Sequence, residues 1–266
     1  MANGFLSTQF GKNKNPMKKR IISRLDIKRD KLIKGVHLEG LRVIGDPKEY
    51  AIKYYLDGVD EIILLDSIAT LHGRNTLEKV INKITDSIFI PITVGGGITS
   101  LDDAKKLFDS GADKISLNTR AIENPLLLEK LSSVFGSQAI VLSLQIKKIS
   151  NNYILMTHNG REKSNQDLIY WLKKSQDLGV GEILITSIDA DGTMKGFDLD
   201  LLDIILSYSK VPLICSGGIA TSLDAFNCFK KGVEAISIAK AFHYNHLSPV
   251  ELRKDLINHN INLRIP

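Results

Sequence analysis

The chain has 266 residues, 35 Lys and Arg against 30 Asp and Glu for a formal charge of +5, 43% hydrophobic residues and 24% charged. This composition suits a globular protein and excludes a disordered or collagen-like chain, and no apolar run approaches the roughly 20 residues needed to cross a bilayer. Two cysteines, Cys215 and Cys228, build neither a disulfide framework nor a zinc site alone; with no secretory signal, a reducing cytoplasm is expected. The basic excess is scattered and aromatics make up only 6%, so bases would find few stacking surfaces and no nucleic-acid partner is expected.

Residues 1–19 show no hydrophobic period and read as a flexible extension, with the basic stretch Lys12 to Arg20 as a solvated arm. From residue 20 to 266, short β-branched runs alternate with stretches of helical period. The expected strands are Ile21–Ile27, Glu61–Asp66, Ile90–Val94, Lys114–Asn118, Ala139–Lys147, Glu182–Ser187, Pro212–Ser216 and Ala235–Ile238. The expected helices are Pro47–Asp57, Leu77–Thr85, Leu101–Ser110, Pro125–Phe135, Gln166–Leu178, Leu201–Ser209, Leu223–Lys231 and Pro249–Asn258. Asp46 and Ser100 stand where N-caps belong, and Gly58, Gly111, Gly179 and Gly232 mark helix-to-strand turns. Eight strands alternating with eight helices over about 250 residues is the count of a (β/α)₈ TIM barrel. A doubly wound sheet would show a glycine-rich turn after the first strand, and Leu25-Asp26-Ile27-Lys28 is not one.

The two halves repeat. Gly58-Val59-Asp60-Glu61-Ile62 returns as Gly179-Val180-Gly181-Glu182-Ile183, Gly95-Gly96-Gly97-Ile98 as Ser216-Gly217-Gly218-Ile219, and Gly111-Ala112-Asp113-Lys114 as Gly232-Val233-Glu234-Ala235, all offset by 121 residues. Leu25-Asp26-Ile27-Lys28 matches Leu144-Gln145-Ile146-Lys147 at 119. A half-barrel of four strands is therefore duplicated. Barrel active sites lie at the C-terminal strand ends. There the repeat places Gly97 with Asn118 and Thr119 on one side, and Gly218 with Ala239 and Lys240 on the other. Glycine lets backbone N–H groups approach an oxyanion, so the pattern predicts two facing phosphate cups and an elongated ligand with a phosphate at each end.

The carboxylates Asp26, Asp66, Asp189 and Asp191 follow strands, and Lys34 lies in the long loop between Ile27 and Asp46. Asp26 is the leading acid–base candidate, provided its surroundings move its pKa towards neutrality. His37, His72 and His158 fall in loops without metal-ligand spacing, so no metal is expected. Arg20, Glu61, Lys114 and Glu182 each begin a strand, and two cations with two anions can close a charged ring across the barrel floor.

These stretches, together with Lys34-Gly35-Val36, Gly45-Asp46-Pro47, Phe135-Gly136-Ser137-Gln138, Asp191-Gly192-Thr193 and Phe242-His243, resemble the cyclase subunit of imidazole glycerol phosphate synthase from about Arg20 to Arg264. The resemblance implies an ammonia-dependent lyase–cyclase of histidine biosynthesis without a cofactor. Its glutaminase subunit would dock on the floor near Asp113 and feed ammonia through a gate at Arg20, Glu61, Lys114 and Glu182. Ammonia would then attack a bisphosphorylated ribulosyl-aminoimidazole carboxamide. The phosphates would bind at Gly97, Asn118 and Thr119, and at Asp191, Gly192, Ser216, Gly218 and Ala239, with the loop lysine Lys34 closing over them.

The family uses two catalytic aspartates. Asp26 matches the first, but the second position holds Gln145, whose amide cannot exchange protons near neutral pH. Arg24 and Lys240 also replace small residues of the family, adding positive charge at the mouth. With gate and docking residues kept and chemistry residues changed, the pattern implies a paralog that channels ammonia, as in relatives found beside enzymes that amidate a surface-polysaccharide sugar. A sugar-amidating enzyme is then a possible second partner.

Overall fold

The computed structural model describes residues 18–67 and 75–264; most of the expected extension (1–17) and His72 lie outside them. Eight parallel strands form the barrel wall: β1 (Arg20–Lys28), β2 (Glu61–Asp66), β3 (Ile92–Gly95), β4 (Lys114–Leu117), β5 (Ile140–Ile149), β6 (Glu182–Ser187), β7 (Leu213–Ser216) and β8 (Ala235–Ile238). Each pairs with the next in sequence, and β8 pairs with β1 at Arg20↔Ala235, closing the cylinder. The principal helices are α1 (Pro47–Leu56), α2 (Asn75–Thr85), α3 (Leu101–Asp109), α4 (Leu126–Phe135), α5 (Leu168–Asp177), α6 (Leu199–Leu206), α7 (Ser222–Lys231) and α8 (Pro249–Asn258).

The helices start where the caps place them. Asp46 accepts from the Lys48 amide, Ser100 from the Asp103 amide, and Thr221 and Asp224 form a reciprocal capping box. The four glycines expected at helix-to-strand turns have φ between 79° and 116°, the left-handed region they were expected to supply. Outward-facing strand residues such as Ile21, Leu25, Ile62 and Leu64 pack under the helices as the main core. The alternate residues face the axis, where Ile22, Ile63, Val141, Leu184, Ile214 and Ala235 form a separate apolar collar. No described helix is long and apolar enough to cross a membrane.

Most of the sixteen expected elements fall within two residues of their observed bounds. Two hairpins were not expected. β1 runs past the rim, turns at Arg29 (φ 58°), and returns as the strand Lys31–Val36, which pairs in turn with Glu39–Gly45. β5 does the same through Ser150 and Asn151 into Asn152–Thr157, which pairs with Glu162–Lys163. The hairpins follow strands one and five, so they belong to the half-barrel repeat. Lys34 therefore sits on a strand and not in a loop: Asp26 pairs with Ile33, and the returning strand folds Lys34 back over the barrel mouth. Short helices Thr119–Glu123 and Lys240–His243 follow β4 and β8 at repeat-equivalent places.

Candidate functional site

At the floor, strand alternation turns Arg20, Glu61, Lys114 and Glu182 inward, one layer below the apolar collar. Arg20 Nη1 meets Glu61 Oε1 at 2.6 Å, and Nη2 pairs with Glu182. Lys114 Nζ completes the ring at 3.2 Å from Glu61 and 2.8 Å from Glu182. Burial pushes the Glu182 carboxyl up, but Arg20 and Lys114 outweigh it and hold it below the usual range. Asp113 lies beside this floor, where its carboxylate accepts from the Ile92 amide at 2.8 Å. Asp60 and Glu234 hold the Ile21 and Leu213 amides in the same manner, so a carboxylate steadying a strand start recurs around the floor.

At the mouth, the side chains above the collar are polar. Arg24 is fully buried; its Nε donates to Asp26 at 2.8 Å, and Nη1 reaches Thr186 and Ser216 across the lumen at 3.1 and 3.2 Å. Lys34 Nζ donates to Asp26 Oδ2 at 3.3 Å and to both Asp191 oxygens at 3.0–3.1 Å. An acid–base role for Asp26 was expected only if its surroundings move its pKa towards neutrality. Burial does raise its pKa, but the two cations override burial and the shift is downward. In this state Asp26 is a fixed anion. Asp189, another carboxylate of the rim, accepts from the Lys148 amide and holds the second hairpin.

The residues of the two expected cups line cavities of unequal size. The first belongs to a cavity of about 400 Å³ lined by Gly96, Gly97, Asn118, Thr119, Gln145 and Arg161, among others. Asn118 Nδ2 donates to the Ser143 and Met156 carbonyls, and Thr119 Oγ1 accepts from the His158 amide, so both brace the second hairpin. Gln145 Nε2 is 3.5 Å from Asn159 Oδ1, while its Oε1 has no partner among the described residues. The second cup, lined by Asp191, Gly192, Ser216, Gly218, Ala239 and Lys240, holds about 20 Å³, and a cavity of about 530 Å³ lined by Lys34, Arg42, Lys240 and Tyr244, among others, shares its Lys34 and Lys240 walls. Lys240 Nζ points into the second cup and donates to the Gly192 carbonyl at 2.7 Å.

Two glycines are required here. A Cβ on Gly192 (φ 71°) would lie 2.4 Å from the Gly35 carbonyl, and one on Gly218 (φ 83°) 2.0 Å from that of Gly196. Their absence lets the first hairpin and the β6–α6 loop close over this cup. The expected site residues thus gather at two ends of one axis, with the ring below and the cups above. Sequence reasoning missed His158, Asn159 and Arg161 at the first cup. The available signal was the turn pair Asn159-Gly160 between Asn152–Thr157 and Glu162–Lys163.

His243, in the short helix after β8, is buried against α1, where its Nδ1 lies 2.6 Å from the Tyr54 hydroxyl. Burial, then the Lys34 charge, lowers its pKa to about 3. Between pH 6.5 and 3 the unfolded chain therefore binds a proton that the native state refuses, and stability falls as pH falls through that window. The expected result is that His243→Gln, which keeps an acceptor for Tyr54, flattens the stability-versus-pH slope between pH 6 and 4 in urea unfolding.

The family model described as "Histidine biosynthesis protein" matches residues 20–248. The chain is 50% identical over 209 residues to the imidazole glycerol phosphate synthase subunit HisF of Legionella pneumophila, covering 78% of this chain and 98% of that protein. It is 42% identical over 250 residues to the HisF subunit of Clostridium beijerinckii, covering 93% and 99%. The HisF subunit of Sulfolobus acidocaldarius is also 42% identical, over 247 residues. A duplicated barrel with a charged floor and two cups at its mouth, matched across this span, belongs to the histidine-biosynthesis family of HisF-type cyclase subunits of imidazole glycerol phosphate synthase.

Proposed function

We propose that this chain is the ammonia-receiving barrel of a two-subunit amidotransferase: a glutaminase docks on the floor, and ammonia rises along the axis to the upper cavity. The observation that carries this reading is the closed ring of Arg20, Glu61, Lys114 and Glu182 directly beneath the six-residue apolar collar. Fixed charges followed by an apolar constriction disfavour a hydrated ion, while a neutral molecule of ammonia's size loses little on passing. Leu56 and Phe89, at the floor ends of their segments, are 75% and 83% exposed and offer a partner apolar contact beside Asp113.

At the mouth, ammonia meets a phosphorylated substrate held at Gly97, Asn118 and Thr119. Asp26, kept ionised by Arg24 and Lys34, can stabilise the positive charge that develops as ammonia attacks, but it is poorly placed to donate a proton. Gln145 can accept or donate a hydrogen bond and cannot transfer a proton. The cyclase step on the bisphosphorylated ribulosyl-aminoimidazole carboxamide is accordingly slow. The same two residues favour a second reading, in which ammonia leaves the mouth for an enzyme that amidates a sugar.

Both readings require the glutaminase. The test mixes the full chain with a glutaminase subunit of an imidazole glycerol phosphate synthase and measures complex formation and glutamine hydrolysis. A 1:1 complex with hydrolysis raised about tenfold or more, within the usual range of coupling between sites, is expected. Neither complex nor stimulation would overturn the proposal. A cyclase assay on the same complex then decides which use of ammonia holds.

A further inference from the structure

Above the charged ring and the collar, six strands present as their next inward residue Arg24, Ser116, Ser143, Thr186, Ser216 and Ser237. Five of these are small hydroxyl residues, and Arg24 is the exception. Its guanidinium crosses the lumen: Nε donates to Asp26 on its own strand β1, and Nη1 donates to Thr186 on β6 and Ser216 on β7. We infer that Arg24 closes the β1–β6–β7 sector of the barrel exit and turns ammonia out on the opposite side, past Ser116 and Ser143 and beneath Gln145. This deepens the proposed ammonia route and rests on that reading.

The closed sector is held by hydrogen bonds that water cannot replace. Thr186 and Ser216 are buried, as is the guanidinium between them. A molecule passing here must break both Nη1 bonds, and losing two charge-assisted bonds in a buried layer slows passage by about 10²-fold or more. A guanidinium also has no acceptor to offer an ammonia N–H.

The opposite sector is open and receptive. The cavity of about 400 Å³ reaches down to Ser116 and Ser143, which stand directly above Lys114 of the ring and Val141 of the collar, and Arg24 does not line it. Ser116 Oγ and Gln145 Oε1 line this cavity without partners among the described residues, although their residues are only 4% and 7% exposed. Unpaired buried acceptors cost stability, and the N–H groups of ammonia satisfy them. Neither a hydroxyl nor an amide is acidic enough to protonate ammonia, so the molecule leaves with its lone pair free. Gln145 is then an acceptor for the incoming nucleophile.

The test uses the full chain in complex with the glutaminase subunit. Turnover of the ribulosyl bisphosphate substrate driven by glutamine is compared with turnover driven by free ammonium. The ratio cancels any effect of a substitution on substrate binding or on the reaction itself and reads the internal route. Ser116→Val, which removes the acceptor and adds a methyl group beside the open route, should lower the ratio about tenfold. Ser237 Oγ is equally unpaired but lies in the closed sector, so Ser237→Val is a matched control and should leave the ratio within about twofold of native. Arg24→Ser added to Ser116→Val opens the second route and should restore the ratio to within about threefold of native.

Equal falls from the two serine variants, no fall from Ser116→Val, or no restoration by Arg24→Ser would overturn the inference. If the Arg24→Ser chain fails to fold, the two serine variants decide alone. Failure of the underlying reading is seen separately, in the native complex. Turnover with free ammonium but none with glutamine, or none with either, would overturn the route itself and this exit with it.

Discussion

Asp26→Asn is expected to lower the folding free energy by about 3–5 kcal/mol at neutral pH, the cost of leaving a buried charge without its partner. The charge in question is Arg24, which is fully buried and has its one carboxylate hydrogen bond, among the described residues, to Asp26. Lys34 loses its 3.3 Å ion pair with Asp26 but keeps Asp191, so the larger loss falls on Arg24. For a chain of this size the melting temperature should drop by roughly 6–20 °C.

The pH dependence identifies the cause. Burial opposes the ionised form of Asp26, but Arg24 and Lys34 hold its folded pKa below the usual carboxylate value, so its contribution is present above the unfolded pKa of about 3.9. It disappears as pH falls through the lower folded value. The difference between the native chain and Asp26→Asn, measured by thermal unfolding, should therefore shrink steadily below pH about 4. An equal difference at pH 7 and pH 3 would mean that the ion pairs are not its source.

Gln145→Asp by itself is expected to raise cyclase turnover less than about tenfold, although a missing acid–base group commonly accounts for 10²–10⁴ in rate. The new carboxyl would occupy a buried position beside Asn159, where burial alone raises a carboxyl pKa and suits proton transfer. Two obstacles would remain. Asp26 stays paired as an anion with Arg24 and Lys34, and Lys240 still carries its charge into the second cup on the Gly192 carbonyl. Adding Arg24→Ser and Lys240→Ser should remove one of the two cations on Asp26 and the cation of the second cup, and recover about 10²-fold. The measurement is steady-state turnover of the ribulosyl bisphosphate substrate with free ammonium, which removes the glutaminase from the comparison. A gain of about 10² or more from Gln145→Asp alone would show that neither obstacle limits the reaction.

How much of this was legible in the sequence differs from residue to residue. The floor ring was readable because Arg20, Glu61, Lys114 and Glu182 each stand at a strand start, three of them two residues below an inward apolar position (Ile22, Ile63, Leu184), and alternation fixes their direction. The inward orientation of Arg24 followed from Asp26 by the same period. Lys34 was misplaced because the returning strand Lys31–Val36 has no distinctive turn signal at Arg29-Asp30, so a hairpin strand read as loop. The direction of the Asp26 shift was not legible for a related reason: its partner Lys34 is fixed on a second carboxylate, Asp191, 157 residues away.

By itself the sequence determined the eight-stranded barrel, its internal duplication, the inward ring and the Gln145 departure, because all of these depend on local period and on the offset between halves. Only the tertiary structure decided that Arg24 and Lys34 hold Asp26 as an anion, that Lys34 bridges two carboxylates, and that Lys240 donates to the Gly192 carbonyl across the mouth. Those outcomes are set by distances between side chains on different strands and hairpins, and no periodicity along the chain carries that information.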